Sequence, residues 1–265
     1  MNSCLIIGAK GFIGSAIVME AQSRKYSVTA VDLDNYHEYK NFRYDLIINA
    51  AGNSRKFIDQ QNPVKGYELS VTSVMNTLQD FHGEFYIQLS SGAIYPHENN
   101  PELNRETAVL NPDEMSRYGF HKWIAEQLVR HYAPNHLIVR MGGFVGPGLK
   151  KNAVYDLLTG GELYVHPESR FQFMDTRDLA KSVFSLYENG NCKNHLLNLS
   201  ARGTISVHGI AELAGISLPA KTFQRPQVQA ELNVEQAGAL LQLPETHETV
   251  CKFITEIQTG KIVLK

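Results

Sequence analysis

Tyr118 and Lys122 stand four residues apart in the run Tyr118-Gly119-Phe120-His121-Lys122. That spacing puts both side chains on one face of a helix, one turn apart. A free tyrosine has a pKa of about 10, too high for proton exchange near neutral pH. An ammonium one turn away favours the phenolate and brings the phenol into the range of general acid–base work. Taken alone, such a pair is most often a solvated surface pair, so the residues around it must decide. Phe85-Tyr86-Ile87-Gln88-Leu89 runs apolar into Ser90 and Ser91, and Ser91 lies 27 residues before Tyr118. A hydroxyl at the C-terminal end of a buried strand can hydrogen-bond a carbonyl or an alcohol. His121 adjoins Lys122 but points to another helix face, and no catalytic role is expected of it.

A second group of residues has the spacing of a phosphate cradle. Gly8-Ala9-Lys10-Gly11-Phe12-Ile13-Gly14 follows an apolar run and opens a helical pattern. Gly8 permits a tight turn, Gly11 lets backbone approach a pyrophosphate, and Gly14 allows close helix–strand packing. The helix beginning at Phe12 and Ile13 then offers unsatisfied N–H groups and a partial positive charge to the phosphates. Asp32 ends the next strand 18 residues after Gly14, and Leu33, just after it, is a further candidate for contact with the cofactor. A carboxylate there accepts hydrogen bonds from an adenosine ribose and repels a 2′-phosphate, which favours NAD over NADP. Arg24 and Lys25, just before that strand, keep NADP open. Asp45 to Gly52 forms another strand, and its small terminal residues Ala50, Ala51 and Gly52 leave room for a flat cofactor.

These residues need a scaffold, and the pattern supplies one. Short runs apolar on both faces (Cys4–Gly8, Ser27–Asp32, Asp45–Ala50, Phe85–Leu89, His136–Arg140, His195–Leu199) alternate with helical stretches over Phe12–Arg24, Val64–Phe81, Tyr118–His131 and Arg177–Glu188. That alternation predicts an α/β fold with a doubly wound, Rossmann-like parallel sheet. After Arg140 the regularity weakens: Gly146-Pro147-Gly148 marks a turn, and the chain from Ala201 is broken by Pro219 and Pro226. We therefore expect a nucleotide-binding domain over 1–141 and 171–200, and a small, discontinuous substrate lobe over 142–170 and 201–265. Ligands of such sheets bind beyond the C-terminal strand ends, so a cleft between the lobes is the expected site.

Composition narrows the function classes. The net charge of −2, without a basic run, gives no electrostatic case for nucleic acid or an anionic membrane. No apolar stretch reaches the ~18 residues of a membrane span. The N-terminus has no basic region before its apolar run and reads as a first strand. Cys4, Cys192 and Cys251 lack metal-like spacing and read as buried thiols of a reducing compartment, which implies a cytoplasmic protein. No metal site is expected.

In this order the motifs resemble the extended short-chain dehydrogenase/reductase family, also called the NAD-dependent epimerase/dehydratase family, over roughly Met1 to Ser200. Arg140-Met141-Gly142-Gly143-Phe144-Val145-Gly146-Pro147-Gly148 and Phe173-Met174-Asp175-Thr176-Arg177-Asp178-Leu179-Ala180 are similar to its later signatures. The resemblance implies that Ser91 polarises the substrate oxygen, Tyr118 is the acid/base, and Lys122 tunes Tyr118 and binds the nicotinamide ribose. Aligning on Ile94-Tyr95 selects Ser91 over Ser90. It also implies substrate contacts from Gly92, Arg170 and Arg177, the arginines meeting a nucleotide diphosphate, and a homodimer built on helices Val64–Phe81 and Tyr118–His131. The chain departs from the family's pattern in a short Leu33–Tyr44 segment, in Ser70 where a helix asparagine is usual, and in Gly142-Gly143-Phe144 ahead of the GPG-like turn. Dehydratases that it resembles carry an Asp-Glu pair where Gly92 and Ala93 stand, and GDP-fucose synthase carries a catalytic cysteine at the place of Ala93. The expected reaction is therefore hydride transfer on a carbonyl or alcohol, as a nucleotide-sugar 4-ketoreductase or epimerase. The alternative is a non-catalytic, dinucleotide-sensing or scaffold protein on the same fold.

Overall fold

The six apolar runs read from the sequence become the six strands of one sheet. The computed structural model describes residues 2–264. In chain order the strands are β1 (Ser3–Ile7), β2 (Ser27–Val31), β3 (Arg43–Asn49), β4 (His82–Ser91), β5 (His136–Met141), β6 (Gly143–Val145), β7 (Arg170–Phe171), β8 (Phe173–Asp175), β9 (His195–Leu199), β10 (Ile205–Ser206) and β11 (Gln229–Ala230). The α-helices are α1 (Phe12–Ser23), α2 (Lys56–Gln61), α3 (Pro63–Tyr67), α4 (Ser73–Asp80), α5 (Arg117–Tyr132), α6 (Ala153–Leu158), α7 (Thr176–Glu188), α8 (Val207–Ala214), α9 (Glu235–Leu240) and α10 (Thr246–Gln258). The chain divides into two compact units, one of Met1–Pro96, Glu106–Met141 and Ala180–Asn198, the other of His97–Arg105, Gly142–Leu179 and Leu199–Lys265.

In the first unit the sheet order is β2-β1-β3-β4-β5-β9. The pairs from β2 to β5 run parallel, with Ile7 opposite both Val31 and Asn49, and Ser91 opposite Met141. Leu5, Ile6, Leu46, Ile47, Ile48, Ile87 and Leu137 have no measurable exposure, as expected of strands covered on both faces. The chain passes from β1 out to β2, then returns across β1 to β3. This reversal makes the C-terminal ends of β1 and β3 the switch point of the sheet.

Helix boundaries follow local chemistry. Ser116 caps α5 by accepting from the Gly119 amide at 3.1 Å, and Arg130 and His131 lie in its last turn, where cations suit the helix dipole. Asn62 caps α3 with Pro63 at the first helical position. The helix expected over Val64–Phe81 is instead α3 and α4 joined by a π-helical stretch, Glu68–Thr72, where the Ser73 hydroxyl donates to the Leu69 carbonyl at 2.7 Å.

In the second unit β6 pairs with β8, and β10-β7-β11 form a small sheet. Val145, Val154, Met174, Val207, Ile210, Val250 and Phe253 are all fully buried there. Among the described residues no helix is long and apolar enough to cross a membrane. Cys4 and Cys192 are buried, and burial pushes the Cys4 thiol up to about 12. Cys251 corrects the expectation of three buried thiols: it lies exposed on α10.

Candidate active site

The glycine turn closes on the switch point. Gly8 has φ of +79°, a backbone conformation side chains rarely adopt, and a Cβ there would stand 2.8 Å from the Ala51 nitrogen. Gly14 sits under the same turn: a Cβ on it would come within 1.9 Å of the Gly8 carbonyl oxygen. The Gly8 amide donates to Val31 at 2.8 Å and the Gly11 amide to Gly8 at 3.0 Å, which fixes the turn. Helix α1 then begins with no capping side chain at Gly11 and no acidic residue in its first turn. Neither a cap nor an acidic side chain of that turn competes for its opening amides, among them those of Phe12 and Ile13, which suits an anion site.

Asp32 lies beside this turn, and its Oδ2 accepts from the Lys10 amide at 2.7 Å. Asn35 braces it by accepting from the Asp32 amide at 2.8 Å. The Lys10 side chain is paired with Asp34, which holds the Asp34 carboxyl below its usual range. The Leu33 side chain is 96% exposed, and Ala50, Ala51 and Gly52 bring no bulky side chain to the end of β3. A backbone cradle that any Cβ would fill, a bare helix start and a carboxylate at the end of β2 fit a dinucleotide. Gly8, Gly11 and α1 would take its phosphates, and Asp32 its adenosine ribose.

The residues just past β3 bring the tyrosine and the lysine together. Tyr118 is 8% exposed, and its hydroxyl donates to the Asn53 carbonyl at 3.2 Å. Lys122 Nζ stands 5.6 Å from the Tyr118 ring centre, and a Cβ on Gly52 would lie 3.0 Å from it. An ammonium at that range stabilises negative charge developing on the phenol. Burial lowers the Lys122 pKa to about 8, against the opposing effects of the Asp59 and Glu126 charges.

Ser90 and Ser91 face opposite ways, as neighbours on a strand must. Ser90 is buried, with its hydroxyl 2.6 Å from Glu126. Ser91 is half-buried at the strand end and accepts from the Ala93 amide at 3.2 Å, capping the short turn that holds the buried Gly92. Helix α5 rests on that turn: a Cβ on Gly119 would be 2.2 Å from the Ala93 carbonyl oxygen. Ser91, Tyr118 and Lys122 thus belong to one continuous piece of packing within the first unit.

Arg170 and Arg177 belong to the second unit. Arg170 is exposed and donates to the Thr204 hydroxyl at 3.0 Å and to the Thr204 carbonyl at 3.1 Å. It borders a cavity of about 420 Å³ together with Ser206, Glu212 and His247. Arg177 differs. Its fork grips Asp175 and Glu256, both at 2.6 Å, and these hydrogen bonds, Asp175 foremost, raise its pKa further. Its donors join β8 to α10, which leaves Arg170 as the more available of the two for a phosphate.

The sequence reading missed three groups around the site. Asn53 supplies the acceptor for Tyr118. Asp59, wholly buried on α2, lies 2.7 Å from His121 Nδ1. Glu126 and Arg140 form a buried pair at 2.7 Å that ties α5 to β5, and Arg140 also covers the Tyr95 ring at 4.8 Å. Removing one partner of such a pair costs about 3–5 kcal/mol. Glu126 lay four residues past Lys122 on the same face, a signal that i,i+4 reasoning could have used.

A sequence model of the NAD dependent epimerase/dehydratase family matches residues 4–200. Comparison with curated proteins finds no match. Among solved structures, a UDP-galactose 4-epimerase is 18% identical with a TM-score of 0.78, over 97% of this chain and 99% of that one. The dTDP-4-dehydrorhamnose reductase of Bacillus anthracis str. Ames, solved with NADP, is 16% identical with a TM-score of 0.79, over 96% and 98% of the two chains. MoeE5, solved with UDP-glucuronic acid and NAD, is 19% identical with a TM-score of 0.78, over 97% and 99%. At these identities the likeness is one of fold.

Proposed function

The chain belongs to the NAD dependent epimerase/dehydratase family, and from that premise we propose that it is an NAD(P)-dependent oxidoreductase acting on a nucleotide sugar, as a 4-ketoreductase or a 4-epimerase. The observation that carries the reading is the meeting of Tyr118 and Lys122 beside the Gly52–Asn53 backbone, next to the glycine turn. When bound, the dinucleotide supplies the hydride acceptor or donor; Gly8, Gly11 and α1 would hold its phosphates, and Lys122 its nicotinamide ribose.

The remaining steps belong to the chain itself. Ser91 donates its hydroxyl hydrogen bond to the substrate oxygen and fixes its position. Tyr118 Oη takes the proton from that oxygen when an alcohol is oxidised and returns it when a ketone is reduced. Lys122 keeps the phenolate accessible through its charge. Asp32 favours NAD over NADP, because a carboxylate repels a 2′-phosphate. Arg170, exposed on its strand, is the arginine assigned to the diphosphate, whose oxygens a guanidinium suits, and the sugar-nucleotide ligand of the fold relative MoeE5 supports the same substrate class.

A panel of UDP-, dTDP- and GDP-sugars and their 4-keto forms, with each dinucleotide in both redox states, tests the reading. We expect transfer of hydride to a 4-keto carbon or inversion at C4. A protein that binds dinucleotide tightly and turns over no member of the panel would instead be a sensor or scaffold. Mass spectrometry of small molecules released on denaturation separates the two reactions, since retained NAD marks an epimerase.

A further inference from the structure

We propose that Asp59 is a positioning residue of this site: it braces the backbone that receives the Tyr118 hydroxyl and provides the buried negative charge that accompanies Lys122. The inference rests on the roles proposed above for Tyr118 and Lys122.

The geometry is a closed ring of hydrogen bonds. Asp59 has no measurable exposure, and each of its oxygens is engaged. Oδ2 accepts from Asn53 Nδ2 at 2.5 Å, and Oδ1 lies 2.7 Å from His121 Nδ1. With Asp59 taken as the acceptor of both bonds, the shared proton of the second sits on Nδ1. Asn53 is itself fixed: its Oδ1 accepts from the Arg55 amide at 2.8 Å, its Nδ2 also reaches the Arg55 carbonyl at 3.1 Å, and its own carbonyl takes the Tyr118 hydroxyl. The path leaves α5 at Tyr118, runs through Asn53 and Asp59, and returns to α5 at His121. Gly66 makes room for it, because a Cβ there would sit 2.4 Å from Asp59 Oδ1. The Tyr67 ring stands edge-on to His121 at 5.6 Å between centres.

Hydrogen bonding alone does not require a charge at position 59, since an uncharged amide could also hold Asn53. Burying a carboxylate is costly, so the charge itself calls for a use. Lys122 provides one. Its side chain is buried, with Nζ over the Tyr118 ring and against Gly52. The charged and titratable groups around it are Tyr118 and Glu126 on α5 and Asp59 on α2, with His121 beyond Asp59. Glu126 is matched by Arg140 and bonded by Ser90. Asp59 is the carboxylate near Lys122 with no guanidinium partner.

The test reads Lys122 directly and needs no turnover. Protein labelled with ¹³C at the lysine ε-carbon is titrated by NMR, and Lys122 is assigned by loss of its signal in Lys122→Met. In the wild type we expect a midpoint near pH 8. In Asp59→Asn we expect a midpoint at lower pH. Where turnover is measurable, the alkaline limb of the kcat/KM profile should move the same way, with kcat falling more than KM changes. An Asp59→Asn protein that melts at lower temperature yet keeps its Lys122 midpoint would show a merely structural residue and overturn the proposal. Should that variant not fold, the wild-type value decides: a midpoint below about 6, where an uncompensated buried lysine titrates, overturns it as well. A shifted midpoint in a protein that turns over no substrate would fault the assigned reaction and leave the electrostatic role of Asp59 standing.

Discussion

Lys122 carries a charge in a place where charge is costly, and that cost should be visible in stability. Its pKa is about 8 in the folded chain against 10.5 for an ordinary lysine. Between those values the unfolded chain holds the proton and the folded chain releases it, so stability rises with pH across that window. Below pH 8 the whole penalty is present, about 3 kcal/mol for a shift of this size. Lys122→Met should therefore be more stable than the wild type at pH 7, by up to about 3 kcal/mol, with the gap closing toward pH 10.5. Denaturant unfolding across pH checks this; a constant gap would contradict it. At this scale the sequence was legible where chemistry and spacing coincide: Tyr118 with Lys122, the three glycines, and a strand ending in Ser91. It was silent on Asp59, which pairs with His121 from 62 positions away. Such a pairing leaves no local pattern, and His121 on its own gave no reason to look for a partner. It also could not show that the Arg177 fork would be filled by Asp175 and by Glu256, 79 positions on.

The six strands of the first unit, and its helices α1 and α5, lie within a few residues of where the apolar periodicity put them, because their local preferences agree with their burial, whereas the six-residue α2 was not expected. The π-helical turn at Glu68–Thr72 was not legible, since it arises from packing one extra residue into a helix and has no composition of its own. The strands of the second unit are two or three residues long, too short for any alternation to register. Helix α5 is the element on which the site depends, and Gly119 sets how closely it approaches the turn after Ser91. Gly119→Ala places a Cβ 2.2 Å from the Ala93 oxygen, so helix and turn must part. We expect kcat to fall about tenfold or more, as misplacement of reacting groups does, with dinucleotide affinity nearly unchanged. Equal loss of both in steady-state kinetics and titration calorimetry would contradict this account of α5.

At the scale of the whole molecule, the fold is shared with structures 16–19% identical to this chain. Burial pattern and turn geometry are conserved quantities of packing that such divergence can leave in place, whereas substrate choice rests on a few side chains that it readily changes. The homodimer we expect would use the α3–α4 segment and α5, and the exposed Val64 and Tyr67 lie on α3. Light scattering after size exclusion should give twice the chain mass of 29.7 kDa at micromolar concentration; a monomer would reject it. The account as a whole turns on the Tyr118 oxygen. Once a nucleotide sugar that supports turnover is found, Tyr118→Phe should bind NAD about as tightly as the wild type, yet transfer deuteride from labelled NADH to the keto sugar at least about a thousandfold more slowly. Deuteride transfer at the wild-type rate in that variant would contradict the account.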